Sequence, residues 1–137
     1  MEARCLIGVF RQISKELDKQ LKRRINQEDL PVLVSHISLF YILPSNGDHI
    51  AFNQLTDRWE ISKSSLSDIL KRYEEIGVIY RIGCPYDKRV VNFGMTDKGM
   101  AIRDKLNQIE DELLINLMVD LNQKERRTLE SMLKRIS

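Results

Sequence analysis

The sequence is poor in the features that mark enzymes, secreted scaffolds and membrane proteins. It holds only two cysteines, Cys5 and Cys84, far apart and in no CxxC or metal-ligand spacing, so a reducing compartment is expected and a disulfide framework is not. Its two histidines, His36 and His49, are isolated, which gives no reason to expect a metal or any cofactor. There is no glycine-rich phosphate loop, nucleophile–base pair or clustered ligand set, so an enzyme is not expected. No run of about 18 apolar residues occurs, and the start, with Glu2 and Arg4, lacks the layout of a signal peptide. The expectation is a soluble, cytoplasmic protein with no membrane partner. Nor is there a charge excess: the net charge is +2, and between positions 57 and 89 seven basic residues stand against six acidic ones. Bulk charge does not argue for nucleic acid, and any such reading rests on where the charges lie.

What is present is periodicity. A chain of 137 residues, 42% of them hydrophobic, is enough for one compact domain or one domain with dimer-forming extensions. Residues 61–96, ISKSSLSDILKRYEEIGVIYRIGCPYDKRVVNFGMT, pass from a helical apolar period to a strand period with a glycine at the switch. Leu66, Ile69, Leu70, Tyr73 and Ile76 recur at three- and four-residue steps, giving one apolar stripe on a helix of about three turns. Ser62 stands where an N-cap belongs. The opposite face carries Ser64, Asp68, Lys71 and Glu75, flanked by Ser65, Ser67 and Arg72. Gly77 supplies a left-handed C′ position, after which Val78, Tyr80 and Ile82 alternate with Ile79 and Arg81 as in a strand. Gly83-Cys84-Pro85-Tyr86-Asp87 reads as a turn, and Val91, Phe93 and Met95 alternate with Val90 and Asn92 in a second strand able to pair back as a hairpin. Gly94, alone in that strand, marks a bulge or close packing. A helix with a free polar face fits a major groove, and a ribbon tipped with Lys88 and Arg89 can follow the backbone or enter the minor groove.

The run resembles the winged helix-turn-helix of MarR-type bacterial transcriptional regulators. The resemblance is carried by the serine-rich helix start at 62–67, the Glu75-Ile76-Gly77-Val78-Ile79 exit with Arg81 behind it, the Asp87-x-Arg89 wing, and the Thr96-Asp97-Lys98-Gly99 that opens the next helix. It extends over nearly the whole chain. It implies a mainly α fold with a small β-wing (α+β), a winged helix-turn-helix at 30–98 with N- and C-terminal dimerisation helices at 1–28 and 99–137. It also implies a homodimeric repressor or activator bound to double-stranded operator DNA, often released by a small-molecule effector or by oxidation.

The rest of the chain reads in order. Leu6, Phe10, Ile13, Leu17 and Leu21 keep the period of an amphipathic helix whose other face, with Arg11, Lys15, Lys19, Lys22 and Arg23, is solvated. Residues 26–29 break it, and Pro31 is expected as the first residue of a new helix with Val34, Ile37, Phe40 and Tyr41 buried. Pro44 to Asp48 is a turn-rich loop. Ile50 is expected as a short strand against the wing, and 52–59 as a helix with Leu55 and Trp59 inward, Trp59 serving the core, joined to the next helix by Glu60-Ile61. Thr96 is an N-cap for a long helix with Ile102, Leu106, Ile109, Leu113, Leu114 and Leu117 on its stripe. Asn122 and Glu125 match a capping box before a last helix with Leu129, Met132, Leu133 and Ile136. The long helix cannot bury its whole stripe on the winged part, so the terminal helices of two subunits are expected to cover the remainder.

On this reading Ser62, Lys63, Ser64, Ser65, Ser67, Asp68, Lys71, Arg72, Asp87, Lys88 and Arg89 are the candidate DNA-binding residues. The serines either touch phosphate and base edges or simply start the helix, and Asp68 either accepts from cytosine or holds Lys71 or Arg72. In the family pattern the wing aspartate, here Asp87, orients the arginine, here Arg89. The resemblance also implies a pocket near Ile13, His36, Phe40 and Tyr41, residues an ordinary core would equally contain. Cys5 and Cys84 are the candidate redox positions, with Cys5 otherwise a small buried hydrophobe and Cys84 expected to be exposed in the wing turn. The competing reading is a winged-helix module that binds protein and not DNA.

Overall fold

The computed structural model describes residues 3–137; Glu2, on which the reading of the chain's start partly rests, lies outside them. The elements in order are α1 (Ala3–Gln27), α2 (Ile37–Ile42), β1 (Ile50–Ala51), α3 (Phe52–Trp59), α4 (Lys63–Glu75), β2 (Ile79–Gly83), β3 (Val91–Met95), α5 (Asp97–Leu117) and α6 (Gln123–Ile136), with a single turn of 3₁₀ helix at Val34–His36. The fold is mainly helical with one three-stranded antiparallel sheet in the order β1-β3-β2.

α1 runs unbroken because nothing after Gly8 interrupts its period. It stops where Asp29 enters the left-handed region (φ 51°) and Leu30 N–H closes back on the Ile25 carbonyl at 3.0 Å. The expected helix start at Pro31 is corrected: Pro31 lies outside any helix, Val32 is tucked into the core, Leu33 is extended, and after one 3₁₀ turn α2 begins at Ile37. Proline tolerates a first helical position without requiring it, and burying Val32 keeps the chain extended for a few more residues. The expected stripe of α2 shifts accordingly: Ile37, Leu39, Phe40 and then Leu43 are buried, Val34 is half-buried, and Tyr41 points outward to donate to Glu110 Oε1 at 2.6 Å.

β1 pairs with β3 as expected, Ile50 opposite Phe93. In β2 the expected alternation is present, and its pairing with β3 fixes which side faces the core. Its register sets Ile79 opposite Met95 and Arg81 opposite Phe93, so Ile79 and Arg81 share the core-facing side while Tyr80 and Ile82 lie over Gly94 and Asn92. Val78 is buried but precedes the strand, and Val90 belongs to the turn, donating to the Asp87 carbonyl at 3.1 Å.

The core gathers Leu39, Phe40, Leu55, Leu66, Leu70, Tyr73, Val78, Phe93, Ile102 and Leu106 beneath the sheet and between α2, α3, α4 and α5. α1 packs on α5 mainly through its second half, fastened by Arg24 to Glu112 at 2.7 Å. Its first half leaves Leu6, Ile7, Val9, Phe10 and Ile13 exposed, and no residue of α6 is buried. Together with Leu114, Met118, Leu129, Leu133 and Ile136, Phe10 lines an open apolar groove of about 700 Å³. Each large apolar side chain left in water forgoes roughly 1.5–3 kcal/mol of transfer free energy, so this surface is unusual for a chain that stays single. No helix among the described residues is long and apolar enough to cross a membrane.

Candidate nucleic-acid interface

α3 and α4 form the helix-turn-helix. Between them Glu60 takes a left-handed conformation (φ 53°) and Ile61 N–H reaches the Thr56 carbonyl, the tight turn expected of Glu60-Ile61. α4 is fixed from inside by Leu66, Leu70 and Tyr73, all buried, with Trp59 half-buried at the end of α3. Its outer face presents Lys63, Ser64, Ser67, Asp68, Lys71 and Arg72, every one exposed. Ser62 and Ser65 are partly committed locally. The Ser62 Oγ accepts from Ser65 N–H at 3.2 Å and donates to Ser65 Oγ at 2.8 Å, which closes the helix start. Ser64 Oγ lies 3.4 Å from Ser62 Oγ, a longer contact, and Ser67 is the freer serine. Asp68 forms no ion pair with Lys71 or Arg72 among the described residues, so of its two expected roles, that of holding a neighbouring cation is not taken up in the free chain.

The exit of α4 explains the Thr96-Asp97-Lys98-Gly99 run. Gly77 turns left-handed at φ 77°, exposing the last carbonyls of the helix. The single proton of the Thr96 hydroxyl is shared between Gly77 O at 2.6 Å and Val78 O at 2.9 Å, while its oxygen accepts from Gly99 N–H at 3.1 Å, which also caps α5. Lys98 Nζ donates to Ile76 O at 2.7 Å. Gly99 itself lies where a Cβ would come 2.3 Å from Val78 O. Three residues of one short run therefore tie the end of α4 to the start of α5. Gly94 is the second close approach: Tyr80 lies across it, and Tyr80 Oη shares a hydrogen bond with His49 Nε2 at 2.8 Å.

In the wing, Asp87 Oδ1 accepts from Arg89 N–H at 2.9 Å and from Arg89 Nε at 3.4 Å. One oxygen of the carboxylate, whose side chain stays 41% exposed, is thus engaged by Arg89, and the guanidinium, its side chain 91% exposed, stands at the tip beside exposed Lys88. Cys84, expected to be open, is half-buried because its N–H pairs with the Val90 carbonyl and draws the start of the turn against the ribbon. Arg81 was not among the sequence candidates. Its Nη2 and Nε both reach Glu74 Oε1, at 2.8 and 3.2 Å, and its guanidinium lies over Phe93, so it braces the wing against the end of α4. A cationic residue in an otherwise apolar strand, seven positions after Glu74, was the available signal. Asn53, Ser67, Arg81, Arg89 and Phe93 border a notch of about 250 Å³ between wing and helices.

The four pocket candidates are split: His36 and Phe40 both pack edge-on against Tyr73, apart from the exposed Ile13 and Tyr41. Phe40 is fully buried, Ile13 and Tyr41 are exposed, and His36 is half-buried with its Nδ1 2.8 Å from Tyr73 Oη. His36 sits edge-on to both Trp59 and Tyr73, and burial, aided by the nearby Arg72 charge, lowers its pKa below 6.5. A cleft of about 340 Å³ between α1, α2 and α5 is instead lined by Leu17, Leu21, Val34, Ile37, Glu110 and Leu113. Cys5 is exposed and not a buried hydrophobe, in the half of α1 whose apolar side chains are also exposed.

No family model matches the chain. The HTH-type transcriptional regulator PecS of Dickeya dadantii is 23% identical over 138 residues, covering 99% of this chain and 82% of that protein. The apo form of MarR from E. coli superposes with a TM-score of 0.80 at 23% identity, covering 99% of this chain and 96% of that one. A cysteine-to-serine MarR mutant from E. coli, complexed with operator DNA, gives a TM-score of 0.77 at 23% identity over 96% of this chain and 92% of that one. A MepR mutant from S. aureus gives 0.77 at 22% identity, over 94% and 93% of the two chains. The fold is thus that of these MarR-type structures along nearly the whole chain.

Proposed function

We propose that this chain is a MarR-family transcriptional regulator, a repressor that binds a pseudo-palindromic double-stranded operator as a homodimer. The observation that carries the reading is the outer face of α4: a helix clamped by three buried side chains holds an exposed set of serines and cations beside a ribbon whose tip carries two more. The MarR structure solved with operator DNA has this fold and supports the same use of it. Residues 30–98 are the DNA-binding part, and 1–28 with 99–137 form the dimerisation region. The open apolar faces of α1 and α6 support the dimer, because a second copy would cover them. Two-fold symmetry then spaces the half-sites about one helical turn, ~10 bp, apart.

Within this reading Ser64, Ser67, Lys71 and Arg72 meet the major groove and its phosphates, with Lys63 and the helix end at Ser62 and Ser65 nearest the backbone. Asp68, repelled by phosphate unless it accepts from a cytosine amino group, restricts the sequences tolerated. Release follows either binding of a small effector near the α1–α2–α5 cleft or oxidation at exposed Cys5. The decisive experiment is a mobility-shift series with random duplex and with an operator selected from it, across salt concentrations. A linear fall of log affinity with log salt is expected. Absence of retention at low salt would instead favour the protein-binding module that the balanced local charge allows.

A further inference from the structure

The wing tip carries a side chain that neither the fold nor the assigned DNA contacts require. Tyr86 is 95% exposed, more than any other large hydrophobic side chain described, and at that exposure its ring packs on nothing in its own chain. The other large apolar side chains more than half exposed, Ile115, Val119, Met132 and Ile136, lie in or beside α5 and α6, the region given above to a second copy. Tyr86 lies outside that region, in the turn joining β2 to β3. The turn does not depend on it: Cys84 N–H to Val90 O at 3.2 Å, Val90 N–H to Asp87 O at 3.1 Å and Arg89 N–H to Asp87 Oδ1 at 2.9 Å hold the loop without any atom of Tyr86. With one oxygen of the Asp87 carboxylate held by Arg89, the most exposed groups at the tip are a phenol ring and a guanidinium, with the exposed Lys88 ammonium beside them.

We infer that Tyr86 is a minor-groove contact that gives the wing a preference for A·T pairs beside the half-sites read by α4. This rests on the DNA-binding reading. A ring on a narrow ribbon, two and three residues before two exposed cations, can enter a groove about 6 Å wide while Lys88 and Arg89 meet the phosphates on its walls. The A·T minor groove offers only acceptors, adenine N3 and thymine O2, to which the phenol hydroxyl donates; guanine adds an amino group that occupies the same space. Narrow A·T minor grooves also concentrate negative potential, which favours the exposed Arg89 in the same place.

The test uses the full chain and an operator selected from random duplex, with flanking pairs kept as A·T, changed to G·C, or changed to inosine·C, which lacks the guanine amino group. Binding is read by fluorescence anisotropy over a salt series for the wild type, Tyr86→Ala and Arg89→Ala. The wild type is expected to bind A·T and inosine·C flanks alike and G·C flanks more weakly. Tyr86→Ala should bind about tenfold more weakly to A·T flanks, the effect of losing one well-placed aromatic contact. It should lose the discrimination yet keep the wild-type salt slope, because the ring is neutral. Arg89→Ala should flatten that slope by about one. If Tyr86→Ala matches the wild type, or loses affinity with flank preference intact, the inference fails while the DNA-binding reading stands. If the wild type shows no salt-dependent binding to any duplex, both fail together.

Discussion

Two glycines mark the tightest packing in the winged part, and they are not equivalent. A methyl group at Gly94 would meet the Cζ and hydroxyl of Tyr80 at 2.5 Å, whereas one at Gly99 would meet the Val78 carbonyl at 2.3 Å. The tyrosine ring can swing aside, losing its bond to His49. The carbonyl is backbone, and it already accepts from Thr96 N–H at 3.0 Å. Gly99→Ala should therefore cost more than Gly94→Ala, at the upper end of the roughly 1–3 kcal/mol typical of overpacking, and urea unfolding of the two variants would reveal the order. His36 gives a pH prediction. Tyr73 Oη accepts from Leu33 N–H and lies 2.8 Å from His36 Nδ1, an arrangement suited to neutral imidazole. Because burial, with the Arg72 charge second, depresses the folded pKa below 6.5, the unfolded chain takes up a proton first as pH falls. The contribution of His36 is thus fully present above pH 6.5 and is lost as pH drops from there through the lower folded value. Thermal melts between pH 8 and pH 5 should show this loss, and His36→Gln should remove its share of the slope.

At the scale of elements, what could be read in the sequence were the features set by chemistry within one turn of chain. Ser62, Thr96 and the Asn122–Glu125 capping box lie where polar side chains can accept from free helix N–H groups, and each does so. What could not be read depended on distant partners. Positions 78–80 are all apolar, so a period of two had no unique phase there; the register with β3 decided that Ile79 and not Tyr80 faces inward. Pro31 likewise permits a helix start that the burial of Val32 overrides. Among the site residues, Asp87 and Arg89 were legible because their contact spans two positions, while the Glu74–Arg81 brace and the splitting of the pocket candidates required the folded chain. The relative weight of cap and core in α4 can be measured. Ser62→Ala should lower stability by about 1 kcal/mol, and Leu66→Ala, at a fully buried position, by about 2–5 kcal/mol. Denaturation midpoints that placed the serine above the leucine would mean that the helix is held by its start and not by its inner face.

For the whole molecule, the question is what covers the first half of α1. A helix of 25 residues extends about 37 Å, yet only its second half rests on α5, held there by Leu21, Ile25 and the Arg24–Glu112 pair. That ion pair is partly exposed and screened by solvent, so its contribution is small. It cannot offset five large apolar side chains left in water on the same helix. The apolar groove formed by Phe10 with the ends of α5 and α6 extends this surface, so one continuous patch runs across both termini of the chain. In the proposed dimer a symmetric partner would contribute the same elements in return and cover the patch on each copy at once. Light scattering at micromolar concentration should accordingly give twice the mass of one chain. Phe10→Glu, which sets a charge in the groove without touching the core around α4, should yield a folded monomer with wild-type helical content. That monomer should bind a half-site weakly and lose the operator's two-site affinity, because the second α4 no longer arrives as an intramolecular event. A wild-type chain that runs as a monomer, or a Phe10→Glu variant that stays dimeric with full operator affinity, would show that the terminal helices do not set the distance between the two reading helices.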